Sequence, residues 1–192
     1  VAATARARSI LEVERRATIG VGRISARLGR LAEARQALGR ILAIARDQNR
    51  PAHRESLFVA ASIALATDDT GRAIRDFDGV LREDGWHDGR RSLHSRAPLV
   101  DLAWIVLPAD PARALAYARG LREVALVDSL AEVRSMDVGE ADLLAAHAHA
   151  ALGFPDSALR YAGAAVTALA VGAGPAHRLT LKAGAFRDSL QR

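Results

Sequence analysis

The run Ala146-His-Ala-His-Ala150 is the first place to look for metal chemistry in this chain. A helix presents ligands to one ion from positions three or four apart, whereas His147 and His149 are two apart and point about 200° away from each other around the axis. No His-Glu-x-x-His pattern is present, so no metal site is expected. Trp86-His-Asp88, with His94 nearby, lies in a stretch rich in turn formers, and loops often carry function. The simpler reading makes it a connector in which Trp86 packs on the adjoining helix. Gly20-Val-Gly22 imitates the start of a phosphate-binding loop, but position 25 is Ser and no strand precedes it, so dinucleotide binding is not expected. No serine sits in a Gly-x-Ser-x-Gly elbow, and no carboxylate pair stands apart from solvated helix faces. The expectation is a protein without catalytic machinery, cofactor or metal.

The elements that hold these residues are helices. Half of the residues are hydrophobic but only 4% are aromatic, and Ala and Leu dominate. Both are strong helix formers, and the β-branched and aromatic runs of strands are scarce. The core must come from small and aliphatic side chains on closely approaching helices. The formal net charge is +5, and all but Lys182 of the 27 basic residues are arginine. These arginines are interspersed with acidic residues, as in Glu33-Ala-Arg35 and Arg82-Glu-Asp84, rather than gathered in the single stripe of a nucleic-acid binder. The absence of cysteine excludes disulfides and thiolate metal sites. No apolar run reaches membrane-spanning length and no signal peptide is visible, so a cytoplasmic protein is expected. A start at Val1 fits a processed protein or a piece of a larger one.

Apolar periodicity predicts helices over Ala2–Arg16, Thr18–Leu28, Leu31–Asp47 and Ala52–Ala66. It predicts further helices over Gly71–Glu83, Ser95–Leu107, Pro111–Val127 (extending toward Arg134), Val138–Leu152, Pro155–Ala170 and Pro175–Gln191. Ile10, Leu11 and Val13 mark the apolar face of the first. Asn49-Arg-Pro51 and Gly172-Ala-Gly-Pro175 read as breaks. Thr70 and Asp110 read as N-caps. A small-residue motif recurs through these helices: Leu31-Ala-Glu-Ala34-Arg, Gly71-Arg-Ala73-Ile-Arg, Pro111-Ala-Arg-Ala114-Leu and Pro155-Asp-Ser-Ala158-Leu. Its central alanines are 39, 41 and 44 residues apart, a spacing that predicts stacked helical hairpins.

These hairpins resemble the tetratricopeptide repeat (TPR). In that family a small residue in the first helix (here Gly22, Ala61, Leu102 and Ala146) faces a small residue early in the second (Ala34, Ala73, Ala114 and Ala158). A hydrophobic or aromatic residue follows one turn later, at positions that here hold Leu38, Phe77, Ala118 and Ala162. Gly29 and Gly153 occupy the favoured turn position. The period exceeds the usual ~34, the aromatic positions of the first helix are mostly lost and Leu102 is large, which resembles the divergent long-repeat tails of bacterial multidomain regulators. The resemblance implies an all-α, right-handed α-solenoid in one domain spanning 1–192. Its repeats would lie near 17–48, 52–84, 95–127 and 138–170, with a C-terminal capping helix at 175–191. It implies a concave groove for a protein or peptide partner, or for another domain of a larger chain, with nucleic acid the second choice. The groove would be lined by Arg16, Arg23, Arg27, Phe58, Ser62, Leu99, Ala103, Leu143 and His147, basic at one end and apolar in the middle. The asparagines that clamp a terminal carboxylate in chaperone-type repeats are absent.

Overall fold

The computed structural model describes residues 2–47, 53–127 and 131–192, with side chains at 13–47, 54–126 and 136–192. Within these residues the chain is all helical: α1 Ala2–Arg27, α2 Leu31–Asp47, α3 His53–Ala66, α4 Thr70–Glu83, α5 Arg96–Val106, α6 Pro111–Val127, α7 Ala131–Ala151, α8 Pro155–Gly172 and α9 Arg178–Leu190. Single 3₁₀ turns cover Trp86–Asp88 and Leu93–Ser95. The apolar Ile10 and Leu11 and the break at Asn49-Arg-Pro51 lie outside the described side chains and residues.

Four helix boundaries depart from the sequence reading. The first two expected helices are one, because Thr18 does not cap a new helix: its Oγ1 donates back to the Glu14 carbonyl at 2.8 Å. Asp69, not Thr70, caps α4, its carboxylate accepting the Arg72 N–H at 3.0 Å, where negative charge also suits the helix dipole. α7 begins at Ala131 rather than Val138, so Arg134 belongs to it and α6 stops short. α9 begins after Pro175, with His177 Nδ1 accepting the Leu179 N–H at 3.3 Å. Asp110 caps α6 as expected, accepting the Arg113 N–H at 2.9 Å.

The fold divides into two compact units, Val1–Asp84 and Gly85–Arg192. In the first, α1 packs on α2 and α3, and α3 on α2 and α4. Ala34, Ala37, Ile41, Val59, Ala61, Ala73, Phe77 and Leu81 form its core, and Phe77 meets Phe58 edge-on at 5.9 Å. In the second, α5 packs on α6, α6 on α7, α7 on α8 and α8 on α9. Leu143, Ala165, Leu169 and Ala183 join α7, α8 and α9, with Met136, Val166, Leu179 and Phe186 against them.

The same junction recurs between paired helices. Arg30 N–H donates to the Ser25 carbonyl (2.8 Å), Asp69 to Ala64 (2.9 Å) and Phe154 to His149 (2.9 Å). This closes each first helix around a left-handed residue: Gly29 (φ 74°), Asp68 (φ 58°) and Gly153 (φ 79°). The junction before α6 differs, with Asp110 N–H on the Val106 carbonyl at 2.7 Å. In all four pairs the motif alanine donates to the residue four before it, at 3.1, 2.9, 3.0 and 3.0 Å. Ala34, Ala73, Ala114 and Ala158 are each at most 1% exposed. Ala61, Leu102 and Ala146 of the preceding helices have no exposed surface, and Gly22 is buried.

α7 and α8 approach closely at Gly139. A methyl group on Gly139 would stand 2.9 Å from the Leu169 backbone nitrogen, an atom that cannot turn aside. Gly139→Ala is therefore expected to lower stability by about 1–3 kcal/mol through forced separation of the two helices. Ala73→Leu should do the same at the α3–α4 crossing. Thermal melts followed by circular dichroism check both, and an unchanged midpoint for Ala73→Leu would refute this packing register.

Candidate functional site

The nine residues that the sequence assigns to a groove do not share one environment. Arg16 and Arg27 are exposed on α1. Arg23 stacks its guanidinium 3.9 Å from the centre of the Phe58 ring, and Ser62 is buried, its Oγ donating to the Phe58 carbonyl at 2.9 Å. Arg23 and Phe58 thus meet where α1 packs on α3. Leu99, Ala103 and Leu143 have no exposed surface, which corrects the sequence assignment: these three are core residues and present nothing to a ligand. α5 lays Leu99 and Ala103 against α6 and α7, while Leu143 is covered by α8 and α9.

Beside the Arg23–Phe58 contact lies a buried carboxylate. Glu55 is 9% exposed and accepts from Arg15 of α1 at 2.9 Å and from Arg54 at 3.2 Å, while Arg54 also reaches Asp84 at 3.1 Å. These arginines draw α1, α3 and the end of α4 together. They are structural, since a carboxylate removed from water is tolerated only when charge and hydrogen bonds answer it.

A surface that the sequence reading did not single out lies on the outside of α1. Val13, Val21, Ile24 and Leu28 are 65%, 54%, 61% and 63% exposed, and Ala17 continues them. Their spacing of 13, 17, 21, 24 and 28 is that of one helical stripe. Gly22, Ser25 and Ala26 on the opposite side of the helix are buried. α1 is therefore apolar on two faces, with Arg16, Arg23 and Arg27 between them. Next to the outer stripe a cavity of about 410 Å³ opens between α1 and α2, lined by Ala17, Thr18, Val21, Glu33, Gln36 and Arg40. The three- and four-residue spacing was visible in the sequence, but periodicity alone does not say which of two apolar faces is covered.

His147 and His149 go to different neighbours, as their spacing requires. His147 lies on Phe186 of α9 with centroids 3.7 Å apart, and meets Trp104 of α5 edge-on at 5.2 Å. Lys182 sits 4.1 Å from the Trp104 ring centre. Burial, reinforced by the Lys182 charge, pushes the His147 pKa down to about 4. Its Nε2 is enclosed without a hydrogen-bond partner among the described residues. His149 stacks on Tyr161 at 5.2 Å. Among the described residues, no group of three or more His, Cys, Asp or Glu side chains is placed to hold a metal ion.

Trp86 packs as the connector reading expects. Its ring covers Gly120 of α6, where a β-carbon would fall 2.3 Å from Cη2, and the Arg91 guanidinium caps its other side at 4.0 Å. Arg91 in turn donates to Glu123 at 2.7 Å.

With this geometry established, comparison against protein-family models, curated proteins and solved structures gives no match in any of the three.

The buried His147 makes a prediction about pH. In the unfolded chain it titrates near 6.5, and in the folded chain near 4. Between those values the unfolded state binds more protons, so stability falls as pH drops from about 6.5 to about 4. Denaturant titrations across that window should show a shallower pH dependence in His147→Phe than in the parent chain. Parallel curves would mean that His147 is not held neutral.

Proposed function

We propose that this chain is a non-catalytic protein–protein interaction module. In this reading it is a right-handed solenoid of about four divergent TPR-like hairpins, α1–α2, α3–α4, α5–α6 and α7–α8, with α9 covering the last. The repeated alanine hydrogen bond and the matched burial of the motif residues support that description. The observation that carries the function is the outer apolar stripe of α1. A helix that already buries one face has little reason to display Val13, Val21, Ile24 and Leu28 to water unless another surface covers them. The stripe runs along one helix face, so the partner it fits is an amphipathic helix that lays its apolar face on it.

Binding of nucleic acid by arginine-rich faces is the second reading, and the ion pairs weigh against it. Arg15, Arg40, Arg54, Arg72, Arg91, Arg96 and Arg122 each pair with a carboxylate of the chain itself. Charge spent inside the fold does not displace counterions from phosphates.

The test is an affinity pull-down with the parent chain and with a Val21→Asp/Ile24→Asp variant, with and without nuclease, at about 0.1 and 0.5 M salt. The expected result is a protein partner that survives nuclease and high salt and binds the variant at least ten-fold more weakly, since two buried aliphatic contacts are each worth roughly 1.5–3 kcal/mol. Both substitutions lie on the exposed side of α1, so the helical melt should be unchanged. Nucleic acid that is recovered from the parent and lost with salt would overturn this reading in favour of the second.

A further inference from the structure

A second surface has a chemistry of its own, separate from the apolar stripe. α6, α7 and α8 line an open pocket of about 510 Å³ in the second unit. Its charged lining consists of Arg119, Arg122 and Glu123 from α6, Asp142 from α7 and Arg160 from α8, with Tyr161, Ala164 and Leu126 as the apolar wall. The charges do not cancel. Arg122 pairs with the buried Asp142 at 3.4 Å, and Glu123 is taken by Arg91 at 2.7 Å. Arg119 and Arg160 have no ion pair among the described residues, and Arg160 leans over Tyr161 at 5.3 Å from its ring centre. Two positive charges with no ion pair among the described residues thus line one pocket from two helices, beside Asp142 and Glu123, which are engaged by Arg122 and Arg91.

His149, outside the pocket lining, stacks on Tyr161 with its ring nearly parallel at 13°. Burial, together with Arg119 and Arg160, lowers its pKa. Its Nδ1 is buried without a hydrogen-bond partner among the described residues. Arginine forks match the oxygens of phosphate two at a time.

The geometry points to a binding site for a phosphate monoester, its dianion held between Arg119 and Arg160 and its organic group against Tyr161, Leu126 and Ala164. A dianion balances the two unpaired charges, whereas a monoanion leaves one over. The inference does not depend on the interaction reading: the residues are on other helices, and either could fail alone.

Calorimetric titration of the whole chain with phenyl phosphate, inorganic phosphate and benzoate tests it at low ionic strength. Phenyl phosphate should bind best, inorganic phosphate more weakly and benzoate least. Arg119→Gln/Arg160→Gln should weaken phenyl phosphate by roughly ten-fold or more, on the scale of a lost charge-assisted hydrogen bond. Arg178→Gln, an exposed arginine on α9, should leave it unchanged. A phosphotyrosine peptide serves as a further arm: tighter binding than phenyl phosphate places the phosphate on a protein, and equal binding on a small molecule. Should the double variant not fold, amide shifts of the parent chain decide the matter. Phenyl phosphate should move residues 119–126 and 160–164 and leave 31–47 still. Equal affinity for benzoate, an unaffected double variant, or shifts spread over the whole chain would overturn the site.

Discussion

Close approach of helix backbones is the constraint on which everything else in this molecule rests. With few aromatic side chains to fill space, the helices must touch nearly backbone to backbone, and that works only where alanine or glycine stands at the crossing. Ala34, Ala73, Ala114 and Ala158 are buried, and at Gly139 even a methyl group is excluded by the backbone of α8. Interiors are packed to crystal-like density, so such contacts leave no slack. Larger buried residues, Phe77, Leu121 and Leu169, fill the rest of the interior.

Charge obeys the same economy of space. Arginine stems run along helix surfaces and their heads meet carboxylates on neighbouring helices: Arg15 with Glu55, Arg40 with Glu14 (Nε–Oε1 2.9 Å), Arg122 with Asp142. Pairs between exposed side chains contribute little to stability, but a carboxylate as enclosed as Glu55 must be answered, and its answer fixes where α1 lies on α3. Arg119 and Arg160 are among the described arginines that have no ion pair.

Much of the fold was legible in the sequence because two signals agree: apolar periodicity and a small residue recurring at the same point of every second helix. α2, α4 and α6 come within a residue of their expected bounds for that reason. The junction glycines Gly29 and Gly153 were legible too, whereas Asp68 fills the same left-handed role without glycine's signature. Continuity of α1 was not legible, since Thr18 can cap a helix or bond back into one, and only tertiary context chooses. Arg23 and Phe58 do meet, but burial of Leu99, Ala103 and Leu143 depends on which helix arrives to cover them, and no single-helix pattern encodes that. The cavity of α6, α7 and α8 was illegible for the same reason: its arginines are ordinary solvated residues until three helices bring them around one space.

The placement of the chromophores has its own consequence. Both tryptophans and both tyrosines, Trp86, Trp104, Tyr117 and Tyr161, lie in Gly85–Arg192, and Val1–Asp84 has only phenylalanine. Each indole ring is also covered by a cation, Arg91 on Trp86 and Lys182 on Trp104. Intrinsic emission of this molecule is therefore a voice for one half of it, while the other half is optically dark and speaks only through its amides.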